Sequence, residues 1–356
     1  MNRPLHGGNL NWAATIAGCP ISALMDFSAS INPLGIPQSV LSAIINNTDR
    51  LIAYPDPEYA ELRSHLARHH QLDPQFILPG NGSAELLTWA ARELAQQKFT
   101  YLVTPAFSDY QRALNTFNGT ILPCLLNLDL LFESPNLPIP QSPHPQSGLL
   151  LNNPHNPTGK LWTKEEILPY LDKFDLVVID EAFMDFLPPN ESQSLIPWVE
   201  QYPNLVVLRS LTKFYSIPGL RIGYAIAHPE RLQRWQQWRD PWSVNTLAVA
   251  ASIAAIQDRE FQQQTWNWLK PARSSLIEQL QAIPQLQPLE GAANYLLVQT
   301  KISATELQEK LLTQHQIVIR DCISFSELGD RYFRIAVRLP KENDTLIRAI
   351  SNITNN

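Results

Sequence analysis

The 356-residue chain has only three cysteines, Cys19, Cys124 and Cys322. They stand far apart, without the spacing of a disulfide framework or a zinc site. A reducing, cytoplasmic setting and no metal are expected. Positive charge is also scarce: 27 Lys and Arg against 33 Asp and Glu leave a net charge of −6. Such a chain offers no basic patch for nucleic acid. The first ten residues hold no apolar stretch of the kind a secretory leader needs. The longest apolar run, Leu247 to Ile256, is too short and too alanine-rich to span a bilayer. Neither a membrane nor a nucleic acid is therefore expected as a partner. No internal repeat is visible. No Gly-x-Gly-x-x-Gly turn follows a first strand, which argues against a nicotinamide-binding fold.

What is present is a composition 44% hydrophobic, ample for a large core. The most informative stretch runs from Ser210 to Arg221. It follows the branched apolar run Leu205 to Leu208, which predicts a buried strand. Polar groups at such a strand's carboxyl end lie where open α/β sheets bind ligands. Lys213 is the candidate chemical residue, since an amine held in an apolar cleft can form a Schiff base with an aldehyde. Ser210, Thr212 and Arg221 supply two hydroxyls and a guanidinium fork, a set suited to phosphate.

Other stretches follow the same strand-then-polar pattern. Ile77 to Glu85 carries glycines at 80 and 82 and places Ser83 as the cap of a following helix. This is either an anion site at a helix N-terminus or an ordinary capped helix. A strand from Thr100 to Val103 leads into Pro105 to Tyr110, where Phe107 or Tyr110 presents a ring to a flat ligand or fills the core. A strand over Gly148 to Leu151 ends in a loop with Asn156, whose amide serves a ligand or its own turn. The strand from Asp175 ends in the acids Asp180 and Glu181. A buried acid must be paired or its pKa rises, and a protonated ring nitrogen is a suitable partner.

Residues 1–36 read as irregular, and the five prolines between Glu133 and Gln146 as an extended surface connection. Thr163 to Phe174 predicts a helix capped by Thr163 and Glu166. Beyond His228 the pattern turns helical, then mixes strands and helices as a small α+β part. There Arg334 and Arg338 are expected on one strand face, and Arg320 after a strand end. The expected architecture is α/β. A three-layer large domain with a mostly parallel sheet, 46–245, joins a small domain from 1–45 and 246–356.

Five phrases in order, Gly80–Glu85, Pro105–Tyr110, Asn153–Gly159, Asp180–Phe183 and Ser210–Lys213 with Arg221, resemble the fold type I pyridoxal-phosphate enzymes, the aspartate-aminotransferase-like superfamily. The resemblance implies pyridoxal 5'-phosphate as cofactor. Lys213 would bind its aldehyde, Asp180 its ring nitrogen, Asn156 its phenolic oxygen and Phe107 a ring face. Gly82, Ser83, Ser210, Thr212 and Arg221 would hold its phosphate. Tyr54 matches a tyrosine that reaches the neighbouring subunit's cofactor, which implies a homodimer with shared sites. Arg334 matches the arginine for a substrate carboxylate. Within the superfamily the chain resembles the branch of threonine-phosphate decarboxylases and histidinol-phosphate aminotransferases, with His6–Asn9, Asp26–Gly35, Asp180–Phe186 and Arg320 carrying the resemblance to the first. There a phosphorylated amino acid would meet His6, Ser30, Arg320 and Arg334, with Ser30 standing where the decarboxylases have asparagine. The first of these activities, giving aminopropanol phosphate for cobalamin side-chain assembly, is expected, and the second is its alternative.

Overall fold

The computed structural model describes residues 3–129 and 137–354. The strands are β1 (Met25–Asp26), β2 (Ile77–Asn81), β3 (Phe99–Thr104), β4 (Ile121–Leu125), β5 (Ser147–Asn152), β6 (Leu176–Asp180), β7 (Leu205–Ser210), β8 (Ile222–Ala227), β9 (Leu286–Pro288), β10 (Tyr295–Thr300), β11 (Ile317–Val318), β12 (Arg320–Asp321) and β13 (Tyr332–Ala336). The helices are α1 (Leu10–Ala17), α2 (Gln38–Ile45), α3 (Ala60–His70), α4 (Ser83–Leu94), α5 (Ser108–Thr116), α6 (Lys164–Ile167), α7 (Leu211–Phe214), α8 (Pro229–Trp238), α9 (Thr246–Gln257), α10 (Arg259–Gln281), α11 (Ala304–His315) and α12 (Pro340–Thr354).

Seven strands form one sheet in the order β2-β8-β7-β6-β5-β3-β4. All pairings are parallel except the two that β8 makes, antiparallel to β2 and to β7. The strands are apolar on both faces, as a sheet covered by helices on both sides requires. Alternate positions feed two cores. Leu78, Leu102, Leu150, Val178 and Val206 pack with residues of α4, α5 and α8. Their neighbours Ile77, Val103, Leu149, Val177 and Val207 join the larger core, with α3, α9 and α10. The fold is thus the expected three-layer α/β arrangement with a smaller α+β part. The smaller sheet has the order β12-β13-β10-β9 and is antiparallel.

The N-terminal residues are tied to this smaller part. β1 pairs in parallel with β11, and Ala13 of α1 packs with Leu312 and Val318. The helix α1 corrects the reading of 1–36 as irregular. Asn9 caps it by accepting the Trp12 amide at 3.1 Å, and Gly18 ends it in the left-handed region. Residues 130–136, and with them the start of the proline-rich connection, lie outside the described residues. Further on, the expected surface course is corrected: Leu137 and Ile139 are buried in the main core. The helix after Thr163 has its capping box, but α6 ends at Ile167 and continues as a 3-10 turn through Pro169. Arg338 lies beyond β13 and binds Glu342 at 2.6 Å and the Asp26 carbonyl at 3.0 Å, so it does not join Arg334 on a strand face.

One close approach links the two parts. A methyl on Gly159, whose φ is +75°, would lie 2.9 Å from Cα of Gly291, and one on Gly291 would lie 3.1 Å from Cα of Gly159. The Ala292 amide donates to the Gly159 carbonyl at 2.8 Å. The loop after β5 thereby rests backbone to backbone on the segment leading into β10. Among the described residues no helix is long and apolar enough to cross a membrane.

Candidate active site

Strands β2, β3, β5, β6 and β7 all end at one edge of the large sheet, and their last residues open onto the same region. Lys213 sits in the single turn α7 immediately after β7. Its carbonyl accepts the Asn32 amide at 3.0 Å, and Asn32 Nδ2 donates to the Phe214 carbonyl at 2.9 Å. The N-terminal segment therefore clamps the lysine turn. Lys213 Nζ lies 4.9 Å from the centre of the Phe183 ring. Burial pushes its pKa down, Asp180 opposes that, and Arg221 and Arg334 add to it.

Asp180 ends β6 and is buried. Its Oδ2 accepts the Tyr110 hydroxyl at 2.7 Å and its Oδ1 the Ala182 amide at 3.0 Å. Burial pushes its pKa up, while the Tyr110 hydroxyl, Lys213 and the Ala182 amide pull it down. Asn152 fixes the main chain beside it, with Nδ2 donating to the Asp180 carbonyl at 2.7 Å and Oδ1 accepting the Asn156 amide at 2.6 Å. The other acid, Glu181, faces elsewhere: it pairs with buried Arg209 at 3.0 Å and accepts from Ser194 and the Leu195 amide.

The β8 reversal accounts for Arg221. Because β8 runs opposite to β2 and β7, its first residue lies at their carboxyl ends, with Ile222 opposite Asn81 and Gly223 opposite Ser210. Arg221 precedes it with φ 55°, in the left-handed region. This brings its guanidinium against Gly82, where an added Cβ would lie 2.5 Å from Nη2. Gly82 itself, at φ +76°, is the N-cap of α4, and Ser83 is the first helical residue. The expected capping by Ser83 is thus corrected: the cap has no side chain, which leaves the first amides of α4 open. Ser210 Oγ and Thr212 Oγ1 lie 2.8 Å apart.

The remaining groups come from the smaller part and the N-terminus. Arg320 on β12 stands directly opposite Arg334 on β13. Arg334 Nη1 donates to Asn156 Oδ1, and its guanidinium lies 4.9 Å from the centre of the Tyr295 ring. Arg320 donates to the Leu5 carbonyl and to Ser324 Oγ at 2.7 Å. Burial, with Arg334 alongside, lowers its pKa to about 10. His6 is brought over Phe107, ring centres 5.4 Å apart, and the Gly8 amide donates to Ser28 Oγ at 2.8 Å. Burial first, then Arg320, pushes the His6 pKa down. Ser30 is buried. Its hydroxyl is enclosed without a hydrogen-bond partner among the described residues, and its carbonyl accepts from Asn294 at 3.0 Å. Tyr54 stands apart, 80% exposed, with its ring 4.7 Å from that of Trp242.

Sequence reasoning passed over Asn32, Asn152 and Tyr295. Tyr295 packs on Phe183 at 4.8 Å between ring centres and donates to the His155 carbonyl at 2.8 Å. Asn152, the last residue of a buried strand, carried a signal: an amide there must find partners. Tyr295 carried none, being an aromatic in an apolar strand.

Comparison with known proteins adds four findings. Residues 22–350 match the sequence model of aminotransferase class I and II. The chain is 39% identical to threonine-phosphate decarboxylase of Salmonella typhimurium, covering 98% of this chain and 96% of that one. It is 31% identical to the adenosylcobalamin biosynthesis bifunctional protein CobDQ of Leptospira interrogans, covering 99% of this chain but 41% of that longer protein. Among solved structures, the histidinol-phosphate aminotransferase of Clostridium acetobutylicum superposes with a TM-score of 0.82 at 27% identity, covering 93% of this chain and 99% of that one.

Proposed function

The chain belongs to the aminotransferase class I and II family, and from that premise we propose that it is a pyridoxal-phosphate-dependent L-threonine O-3-phosphate decarboxylase. Its product is (R)-1-aminopropan-2-yl phosphate, used in cobalamin side-chain assembly. The observation that carries this reading is the pair Arg320 and Arg334, opposite each other in register and beside Lys213's edge of the sheet. Two cations there, Arg320 buried and Arg334 half-buried, suit a substrate with two anionic groups.

The residues fit the cofactor. A Cβ at Gly82 would press on Arg221, and one at Gly223 would lie 2.5 Å from the Ser83 amide nitrogen. Only glycine at both positions leaves amides and guanidinium free to hold a phosphate. Gly82, Ser83, Ser210, Thr212 and Arg221 would bind that phosphate, Asn156 the phenolic oxygen, Phe107 a ring face, Asp180 the ring nitrogen and Lys213 the aldehyde. When bound, the cofactor supplies a carbonyl for the substrate amine and a conjugated ring that accepts an electron pair from the α-carbon.

The chain's own residues decide which bond breaks. His6, Ser30, Arg320 and Arg334 hold the phosphorylated amino acid by its anions and fix its rotation about the α-carbon. In the decarboxylase the bond to the carboxylate breaks and carbon dioxide leaves. Lys213 then delivers a proton to the α-carbon. Burial, with Arg221 and Arg334 nearby, lowers its pKa, and so makes the amine a readier proton donor than a free lysine. The second reading, a histidinol-phosphate-type aminotransferase with 2-oxoglutarate as acceptor, is favoured by the 27% identical structure. It uses the same residues, with Lys213 taking the α-proton instead.

The working form is a homodimer with shared sites. Tyr54, Ile52 and Leu51, exposed at 80%, 95% and 57%, support this, since such apolar exposure suits a covered face. The same reading places the division at 46–245 against 1–45 with 246–356, and the protein in the cytoplasm, in keeping with its free cysteines.

The test is incubation of the cofactor-loaded protein with threonine phosphate and no keto acid. Repeated release of carbon dioxide and aminopropanol phosphate is expected. A single conversion of the cofactor to its amine form by histidinol phosphate, with no carbon dioxide from threonine phosphate, would replace this reading with the second.

A further inference from the structure

We propose that Tyr110 is a positioning residue for Asp180, its hydroxyl holding that acid ionised and aimed so that the acid can keep a proton on the ring nitrogen of the bound cofactor. This rests on the cofactor reading above.

The geometry is specific. Phe107 is the N-cap of α5 and Tyr110 lies in its first turn, with the Tyr110 amide donating to the Phe107 carbonyl at 3.0 Å, so the start of one helix places both the aromatic and the partner of the acid. Its hydroxyl donates to Oδ2 at 2.7 Å, within the range of a charge-assisted bond. The other oxygen, Oδ1, has the Ala182 amide at 3.0 Å. The Asp180 main chain is held by Asn152 Nδ2 at 2.7 Å and by the Asn153 amide at 2.9 Å. The carboxylate is therefore fixed at both oxygens and at its backbone.

A buried carboxylate loses hydration, and burial alone favours its neutral form. A neutral acid could not serve as counter-ion to a protonated ring. The phenol opposes that loss. Desolvation pushes the tyrosine's own pKa well up, and Asp180 raises it further, so the phenol keeps its proton and remains a donor. A tyrosine that merely filled space would do as well as phenylalanine. Tyr110 also packs edge-on against Phe107 at 5.6 Å and lies in the core under α4, contacts that phenylalanine would keep.

The experiment loads Tyr110→Phe and the wild type with pyridoxal phosphate labelled with nitrogen-15 in the ring and compares the ring-nitrogen signals. The variant's signal should move toward the unprotonated range, with kcat reduced by about tenfold. In an Asp180→Asn background, Tyr110→Phe should add no further shift. A wild-type signal unchanged in Tyr110→Phe, or an equal shift in both backgrounds, would overturn the proposal. If the wild type takes up no cofactor, the cofactor reading fails instead. Should Tyr110→Phe fail to load, infrared spectra of the cofactor-free proteins at neutral pH decide. A protonated-carboxyl band present in Tyr110→Phe and gone in the double variant supports the proposal, and no such band refutes it.

Discussion

The guanidinium of Arg334 donates to Oδ1 of Asn156, joining a strand of the smaller sheet to the loop that leaves the larger one. Because that oxygen is engaged, it is Nδ2, a donor, that the amide would offer the cofactor in the function proposed above. One arginine thus has two tasks: it faces Arg320 across the strand pair, and it sets which way Asn156 points.

Arg334→Lys keeps the charge and loses the planar fork. A hydrogen bond to a charged group is worth about 1.5–3 kcal/mol, so kcat/KM should fall roughly 10- to 150-fold. The change should be mostly in KM for the phosphorylated amino acid. Steady-state kinetics beside a cofactor titration checks this; a KM equal to wild type would remove Arg334 from the substrate site.

Gly82→Ala should damage both fold and site. The residue sits at φ +76°, and its methyl would press on Arg221. With ψ 161° this is an extended, positive-φ backbone essentially reserved for glycine, and it costs a residue with a Cβ about 1–3 kcal/mol. Denaturant unfolding should register that loss, and cofactor affinity should weaken further because Arg221 must shift. Affinity unchanged from wild type would mean the phosphate lies elsewhere.

His155 makes a pH prediction. Complete burial lowers its pKa from 6.5 to about 3. The unfolded chain, at 6.5, takes up a proton that the folded chain does not, so stability rises with pH across this window. As pH falls from 6.5 toward 3, the protein should lose stability by up to about 1.4 kcal/mol per pH unit on this account. His155→Asn should show a slope shallower by as much as one proton over that range, read from urea midpoints. Identical slopes would place the imidazole in water.

Ile52, 95% exposed, tests the dimer. Burying such a side chain stabilises by about 1.5–3 kcal/mol, and an aspartate would instead be buried unpaired. Ile52→Asp should sediment as a monomer and bind cofactor more weakly, because Tyr54 would no longer reach a neighbouring site. A variant that remains dimeric would move the interface off this face.

The large sheet was legible because each strand ends in a polar phrase: Asp180 after Leu176 to Ile179, Ser210 after Leu205 to Leu208, Asn152 after Leu149 to Leu151. Strand direction was not legible. Nothing in Ile222 to Ala227 distinguishes an antiparallel strand from a parallel one, yet that reversal is what brings Arg221 to Gly82. Helix α1 was hidden by an uncharged, alanine-rich stretch, although Asn9 and Gly18 stood at its ends as cap residues. Gly82 displaced Ser83 as the cap because only a residue tolerant of positive φ fits there. Partners that are distant in sequence, such as Tyr110 with Asp180 and Arg334 with Asn156, leave no local trace in either segment.

Gly159 and Gly291 meet with only hydrogens between their α-carbons. At most packed positions a gain in size on one side can be answered by a loss on the other, which is how cores drift while keeping their volume. This pair has no such exchange open to it, since neither residue can become smaller. A mutation at either position has no second-site suppressor at the other. The junction between the two parts of the chain should therefore be among the slowest places for this protein's lineage to explore, whatever happens to the substrate it accepts.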